Sequence, residues 1–192
     1  KKQKQVLSAT FGEFLASWPN DRTITLLTKP SAASQGYFYK LDPTTLYFNK
    51  ILGGIAGLTA LLSPGGENII YSAGNNQVLK TYIYNVKENK SSSFALTTMP
   101  EKCVWSKRKK EIIYCAVPAS IPSGAYPDDW YQGLFSFSDR IWKIDTSNGS
   151  TEIISAENNQ DFDFINPFSS QNENYIFFQN KKDGTLWSLK LQ

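Results

Sequence analysis

The carboxylate and cysteine side chains are the groups in this sequence whose types and spacing could do chemistry. Asp128 and Asp129 are adjacent, and Asp161 and Asp163 alternate within "NNQDFDF". Paired carboxylates act as acid and base in glycoside hydrolysis, and carboxylate oxygens are the ligands that calcium prefers. The chain contains no histidine and 2 cysteines. A Ser-His-Asp or Cys-His relay and a His- or Cys-based zinc site are therefore excluded.

Neither acidic pair has the arrangement that these chemistries need. Adjacent residues on an extended chain, which is how we expect Asp128 and Asp129 to lie, point to opposite faces. Asp161 and Asp163 would share one strand face, but calcium takes about six to eight oxygen ligands and no EF-hand-like spacing is present. We therefore predict no catalytic residue, no metal and no cofactor.

The two cysteines lie at either end of a basic turn in "CVWSKRKKEIIYCAV", residues 103–117. An antiparallel hairpin centred on Lys109 would place Val104 opposite Tyr114 and Cys103 opposite Cys115. Opposed Cβ atoms lie about 4.5–5.5 Å apart, near enough for a disulfide after a slight adjustment. The sequence predicts this disulfide and hence an oxidising compartment, with a pair of buried thiols as the alternative.

The basic cluster at residues 107–110 occupies the tip of the same hairpin. A solvated turn is the simplest interpretation, and a contact to a phosphate or an acidic partner is the alternative. The net charge is +3, and the cluster has no interleaved aromatic residues, so no nucleic-acid partner is predicted.

The elements that must position these side chains recur along the chain. Four segments share an apolar strand, a polar turn and a second β-rich strand: residues 14–28, 59–73, 103–117 and 165–179. Each is followed by a strand with period-2 alternation, at 37–42, 82–87, 140–145 and 186–191. Four short antiparallel strands repeated about every 45 residues are typical of a blade. The predicted fold is an all-β propeller of about four blades.

We place the blades approximately at 9–52, 55–96, 100–155 and 160–192, with a strand at 4–8 completing the last blade. An insertion at 118–138 interrupts the third blade. Three assemblies fit this pattern: a partial propeller, a closed four-blade ring, or half of an eight-blade homodimer.

Two stretches carry a family resemblance. "LSPGGENIIYS", echoed by "PFSSQNENYIFFQ", resembles the turn-plus-strand motif of WD-repeat-like propellers of the bacterial TolB type, a repeat that also occurs in the propeller domains of prolyl peptidases. The resemblance covers nearly the whole chain and implies the fold. The usual turn aspartate is replaced by Asn20, Gly65, Arg108 and Gln171, so no family site is carried over.

Three further stretches, "PEKCVWS", "YPDDWYQG" and "KKDGTLWSL", resemble surface-anchored bacterial propeller proteins. That resemblance implies an exported, periplasmic or cell-surface domain of no established chemistry. It also implies that contact with a membrane is made only through an anchor outside this chain. No apolar run in the sequence approaches the ~20 residues of a membrane span.

The insertion at 118–138 is the predicted binding site because it gathers aromatic and acidic side chains on one loop. The candidate binding residues are Tyr126, Asp128, Asp129, Trp130 and Tyr131. They would form either a structural cap or a recognition surface for a protein or a glycan. The leading hypothesis is a non-catalytic binding or scaffold propeller with a protein partner. The alternatives are the accessory domain of a larger hydrolase or peptidase, and a carbohydrate-binding or carbohydrate-active propeller.

Overall fold

The computed structural model describes residues 3–8, 13–75, 78–155 and 161–191 of the chain. Its strands form separate antiparallel sheets that follow one another along the sequence. These sheets are the blades of a β-propeller, which confirms the predicted fold. No helix in the described ranges is long and apolar enough to cross a membrane.

The first two blades are meanders of four strands each. The first comprises β1 (Phe14–Asn20), β2 (Thr23–Thr28), β3 (Gln35–Leu41) and β4 (Phe48–Ala56). The second comprises β5 (Thr59–Leu62), β6 (Asn68–Asn75), β7 (Val78–Asn85) and β8 (Lys90–Ser93). Their alternating apolar residues and short polar turns account for the meander.

The third blade repeats this order, and the fourth has three strands in the described residues. The third comprises β9 (Cys103–Trp105), β10 (Ile112–Pro118), β11 (Asp139–Asp145) and β12 (Thr151–Ile153). The fourth comprises β13 (Phe164–Ser169), β14 (Tyr175–Asn180) and β15 (Leu186–Lys190). A 3-10 turn at Pro100–Lys102 precedes β9, and one helical turn, α1, spans Asp128–Tyr131.

The strand predicted at 4–8 is wrong. Residues 3–8 have no regular secondary structure, and Leu7 packs against Ile24, Leu26 and Leu41 of the first blade. The segment therefore adds to the hydrophobic contacts of the first blade instead of pairing with the fourth. The predicted limits at residues 9, 160 and 192 lie outside the described residues.

Apolar side chains pack between successive blades. The first interface joins Leu27 and Phe38 to Leu58 and Ile69. The second joins Ile70 to the Cys103–Cys115 hairpin, and the third joins Ala116 and Ile141 to Phe164, Ile176 and Phe178. Each fully buried aliphatic or aromatic side chain contributes about 1.5–3 kcal/mol.

The predicted disulfide between Cys103 and Cys115 is confirmed. The two residues are direct partners of β9 and β10, next to the pair Val104 and Tyr114. Their Cα atoms lie 4.1 Å apart, within the apolar interface with the second blade. The hairpin register follows directly from the turn length that the sequence indicated.

The basic turn at residues 107–110 is anchored to the fourth blade. Glu173 accepts hydrogen bonds from the hydroxyl of Ser106 at 3.0 Å and from the backbone N–H of Lys107 at 2.8 Å. The ammonium of Lys107 also donates to the carbonyl of Ser169 at 2.9 Å. The turn is therefore fixed in position, while Arg108 and Lys109 remain exposed.

Candidate binding face

The longest connection in the described residues lies on one face of the propeller. Residues 119–138, which we call the cap, join β10 to β11. In a meander of this kind, the connections between the second and third strands lie on the same face as the connections between blades. The cap therefore lies beside connections from the other blades, and we call this side the cap face.

The first two blades contact the cap through closely packed backbone. The backbone N–H of Ala32, between β2 and β3, donates to Asp128 Oδ2 at 2.5 Å. A Cβ atom built on Gly74 would lie 2.1 Å from the carbonyl oxygen of Tyr126, and one on Gly57 would lie 2.3 Å from it. Only glycine, which has no side chain, allows the cap to approach this closely.

The fourth blade contacts the cap through Trp130. Its indole N–H donates to both carboxylate oxygens of Asp163, at 3.1 and 2.9 Å. The ammonium of Lys181 lies 5.4 Å from the centre of the Trp130 ring, within the range of a cation–π contact. The cap thus links blades that are distant in sequence.

A small hydrophobic core lies beneath the cap. Its buried members are Leu79, Met99, Tyr126, Trp130 and Phe137. The rings of Trp130 and Phe137 stack with their centres 6.2 Å apart. Burial raises the pKa of the Tyr126 hydroxyl to about 12. This mini-core is the structural cap that the sequence offered as one interpretation of the insertion.

Asp128 and Asp129 lie in α1, so the expectation that they sit on an extended chain is wrong. Asp129 Oδ2 accepts a hydrogen bond from the backbone N–H of Ala125 at 2.7 Å. Asp128 accepts the bond from Ala32 described above. Both carboxylates therefore position the backbone of the cap face, which is a structural use of the acidic pair.

The end of α1 exposes an apolar residue. Gly133 adopts φ 74°, the Leu134 N–H donates to the carbonyl of Asp129, and the Gly133 N–H donates to that of Trp130. These two bonds form a Schellman motif, in which the residue after the glycine usually packs on the last turn of the helix. The facing position here is Asp129, and Leu134 is 68% exposed.

Tyr131 lies at the border between the mini-core and the exposed surface. The residue is 41% exposed, yet its hydroxyl donates to Glu101 Oε1. Burial, followed by the negative charge of Glu101, raises the pKa of the Tyr131 hydroxyl. Burial also raises the pKa of the Glu101 carboxyl, whose Oε2 atom has no hydrogen-bond partner in the described residues.

A buried charged cluster beneath the cap was not found by sequence reasoning. Lys102, which is 0% exposed, lies between Asp139 and Asp163. The lysine immediately precedes Cys103, and Asp139 begins β11. In the sequence, both look like exposed polar residues at the end of a strand, so the sequence pattern did not predict their burial. Asp161, the other predicted acidic residue, instead pairs with Lys182 at 2.5 Å.

Of the five predicted binding residues, the structure leaves Tyr131 the most accessible. Tyr126 and Trp130 are 1% and 3% exposed, so their rings pack inside the cap, and Asp128 and Asp129 are half-buried. Leu134 and Gln132, which the sequence analysis did not select, are exposed beside Tyr131. We call residues 131–134 the cap ridge.

A cleft of about 280 Å³ separates the third and fourth blades at their outer strands. Its lining is mainly apolar and aromatic, with Arg140 as the cation: Asp139, Arg140, Ile141, Ser155, Phe162, Phe164, Phe178, Trp187, Ser188 and Leu189. In the described residues, β15 is the outermost strand of the fourth blade, and its Trp187 and Leu189 form one wall. The cleft therefore marks the outer limit of the packing between these blades.

Comparison with known proteins gives the fold and nothing finer. No protein-family model and no curated protein matches the chain. Among solved structures, the chain is similar to TolB from Acinetobacter baumannii, with 16% identity, a TM-score of 0.62, and coverage of 96% of this chain and 45% of TolB. The hydrazine synthase of Kuenenia stuttgartiensis gives 10% identity, a TM-score of 0.59, and coverage of 88% and 50%.

A third similar structure is the β-propeller domain of the trilobed protease from Pyrococcus furiosus. It gives 12% identity, a TM-score of 0.53, and coverage of 89% of this chain and 51% of that one. The chain thus spans about half the length of these structures. The resemblance to TolB-type propellers is confirmed at the level of fold.

Proposed function

We propose that this propeller is a non-catalytic binding module of an exported protein and that it contacts a protein partner through the cap ridge. The observation that carries the proposal is the exposure of Tyr131 and Leu134 on a turn that is held in place by the mini-core beneath the cap. A rigid turn loses little conformational entropy when it binds, and an exposed tyrosine beside a leucine supplies flat apolar area.

The support for a binding role, as opposed to a catalytic one, lies in how the carboxylates in and beneath the cap are used. Asp128 and Asp129 accept hydrogen bonds from backbone N–H groups, and Asp163 accepts them from Trp130. Groups engaged in this way position the chain, whereas an acid or base needs to reach a substrate.

The Cys103–Cys115 disulfide supports export. Disulfides form and persist in oxidising compartments and are rare in the cytosol. A periplasmic or cell-surface location is therefore part of the proposal, with any membrane anchor supplied outside this chain.

A second candidate is an accessory propeller within a larger enzyme. The fold similarity to the propeller domain of a protease favours it, and the cap ridge would then face the catalytic domain. In this case the contact is made within one polypeptide instead of with a separate protein.

The test is affinity capture from the envelope extract of the source cell. The native chain is compared with the double variant Tyr131→Ser, Leu134→Ser, which alters the ridge and leaves Trp130 and Tyr126 in place. The matched control is Trp18→Ser, Tyr47→Ser, two aromatic positions that are 66% and 68% exposed on the opposite face.

Proteins held by the native chain and the control but lost with the ridge variant would support the proposal. Equal capture by all three, or capture lost with the control as well, would overturn it. Equal urea midpoints of the three proteins would establish that the ridge variant is folded.

A further inference from the structure

Lys102 lies within bonding reach of two carboxylates in the interior of the protein. Its Nζ atom is 2.6 Å from Asp139 Oδ2 and 2.6 Å from Asp163 Oδ1. It also donates to the carbonyl of Phe164 at 3.2 Å. The side chains of all three charged residues are at most 1% exposed. Two carboxylates therefore share one amine in a site closed to bulk solvent.

Aromatic rings surround this amine. The Nζ atom of Lys102 lies 4.9 Å from the ring centre of Trp130 and 4.9 Å from that of Phe137. Both rings belong to the cap, which closes the site from the cap face. In such surroundings burying charged groups is costly, and a neutral amine beside a neutral carboxyl group is the uncharged alternative to the ion pair.

The two aspartates differ in their surroundings. Both oxygens of Asp163 accept the indole N–H of Trp130, which stabilises its carboxylate form. Asp139 Oδ2 accepts from Lys102 and from the backbone N–H of Phe164 at 2.8 Å, while its Oδ1 has no hydrogen-bond partner in the described residues. Burial raises the pKa of the Asp139 carboxyl. Asp139 is thus the carboxyl suited to the neutral acid form.

We propose that Lys102 and Asp139 condense spontaneously into an isopeptide bond, with Asp163 as the group that moves the proton. The neutral amine of Lys102 attacks Cγ of the protonated Asp139 carboxyl and forms the new C–N bond. Asp163 accepts a proton from the nitrogen and delivers one to the departing hydroxyl. The C–O bond to that hydroxyl breaks and one water leaves.

The reaction balances without any further reactant. The ammonium and one carboxylate become an amide and water, and Asp163 ends in the state in which it began. A neutral carboxylic acid is a better electrophile than a carboxylate, which assigns the bond to Asp139 and the proton transfer to the indole-bound Asp163. Water exclusion by Trp130 and Phe137 removes the competing solvation of the amine.

The bond would tie the segment before β9 to the first residue of β11. The third blade would then carry two covalent links, since Cys103 is already joined to Cys115 in β10. The disulfide is opened by reductant, whereas an amide is not. The isopeptide link would therefore hold the third blade and the base of the cap under reducing conditions.

The test is the intact mass of the fully reduced and denatured protein. The expected mass is lower than that of the sequence by one water, about 18 Da. A mass equal to that of the sequence would overturn the proposal, because the measurement does not depend on any variant folding. The matched variants are Lys102→Arg, which should show no deficit, and Lys107→Arg, which should retain it.

Peptide mapping then locates the bond. Trypsin does not cleave after an acylated lysine, so the proposal predicts residues 91–107 joined to residues 111–140 as one branched product. A branch to residues 144–181, which contain Asp163, would overturn the assignment to Asp139. A water deficit that persists in Lys102→Arg would place the loss elsewhere and overturn the proposal as a whole.

Two further variants separate the roles of the aspartates. Asp139→Asn should react by loss of ammonia, about 17 Da, because an amide nitrogen now leaves in place of the hydroxyl. Asp163→Asn keeps the electrophile but removes the proton carrier, so its deficit should disappear. A full water deficit in Asp163→Asn would refute the role of Asp163.

Discussion

The indole of Trp130 donates to the carboxylate of Asp163 at 2.9 Å, and this bond joins the cap to the start of the fourth blade. The acceptor is buried, so its carboxylate cannot exchange this donor for water. The stability of the cap therefore depends on a hydrogen bond between a connection in one blade and the residue that precedes the first strand of the next.

Trp130→Phe keeps an aromatic ring and removes the donor. We expect the free energy of unfolding to fall by about 1–3 kcal/mol, because a buried carboxylate loses a partner. The matched control is Trp187→Phe, since the Trp187 N–H donates to the exposed Thr185 hydroxyl. Urea unfolding measures both, and an equal loss in the two variants would contradict the role of the Trp130 bond.

Gly74→Ala places a methyl group where the cap backbone lies. Its Cβ atom would be 2.1 Å from the Tyr126 carbonyl oxygen, so the cap must shift, at a cost of about 1–3 kcal/mol. We expect faster proteolysis within residues 119–138, measured by the time course of limited digestion.

Gly65→Ala is the control for this substitution. Its Cβ atom would meet the carboxylate of Glu67, which is the end of a flexible side chain and can rotate away. A proteolysis rate of Gly74→Ala equal to that of Gly65→Ala would show that the close approach at Gly74 does not hold the cap in place.

The double variant Cys103→Ala, Cys115→Ala removes the link between β9 and β10. The two residues are 12 positions apart, and a loop of about this size gains about 3 kcal/mol from a disulfide. We expect a loss of about 2–4 kcal/mol in urea unfolding. Treatment of the native chain with reductant should give a similar loss, and an unchanged midpoint would contradict the stabilising role.

Glu101 makes stability depend on pH in a defined direction. Burial raises the pKa of its carboxyl in the folded protein above the unfolded value of about 4.3. Between the unfolded and folded pKa values, the folded state binds more protons. The free energy of unfolding therefore falls as pH rises through this window.

Glu101→Gln removes this titration and leaves the buried cluster of Lys102, Asp139 and Asp163 the same in both proteins. We take the free energy of unfolding of the native chain minus that of the variant. This difference should decline from about pH 4 towards neutral pH, because the folded native chain loses the extra proton on Glu101. Urea unfolding at several pH values measures the difference. A difference that stays constant or grows with pH would refute the assignment.

The fold could be predicted because each blade is specified locally. The segments at 59–73 and 103–117 carry their own alternation and turns, and the structure has them as the hairpins β5–β6 and β9–β10. The Cys103–Cys115 pair followed from the length of a single turn. Patterns of this kind need no knowledge of distant parts of the chain.

The interior of the cap could not be predicted because its contacts are distant in sequence. Asp128 receives a hydrogen bond from Ala32, 96 positions away, and Lys102 reaches Asp163 across 61 positions. Asp128 and Asp129 also adopt a helical turn within a segment containing three prolines and two glycines, where we expected an extended chain. The burial of Trp130 followed from the same distant contacts.

The cap is expected to be the last part of the protein to fold. Trp130 acquires its acceptor only when Asp163 is in place, and other anchors of the cap come from the first two blades. Distant contacts of this kind form slowly because the intervening chain must first be ordered. A growing chain would leave Trp130 without its acceptor and the cap incompletely packed until the fourth blade emerges. That interval is the stage of synthesis at which the chain is most prone to aggregate.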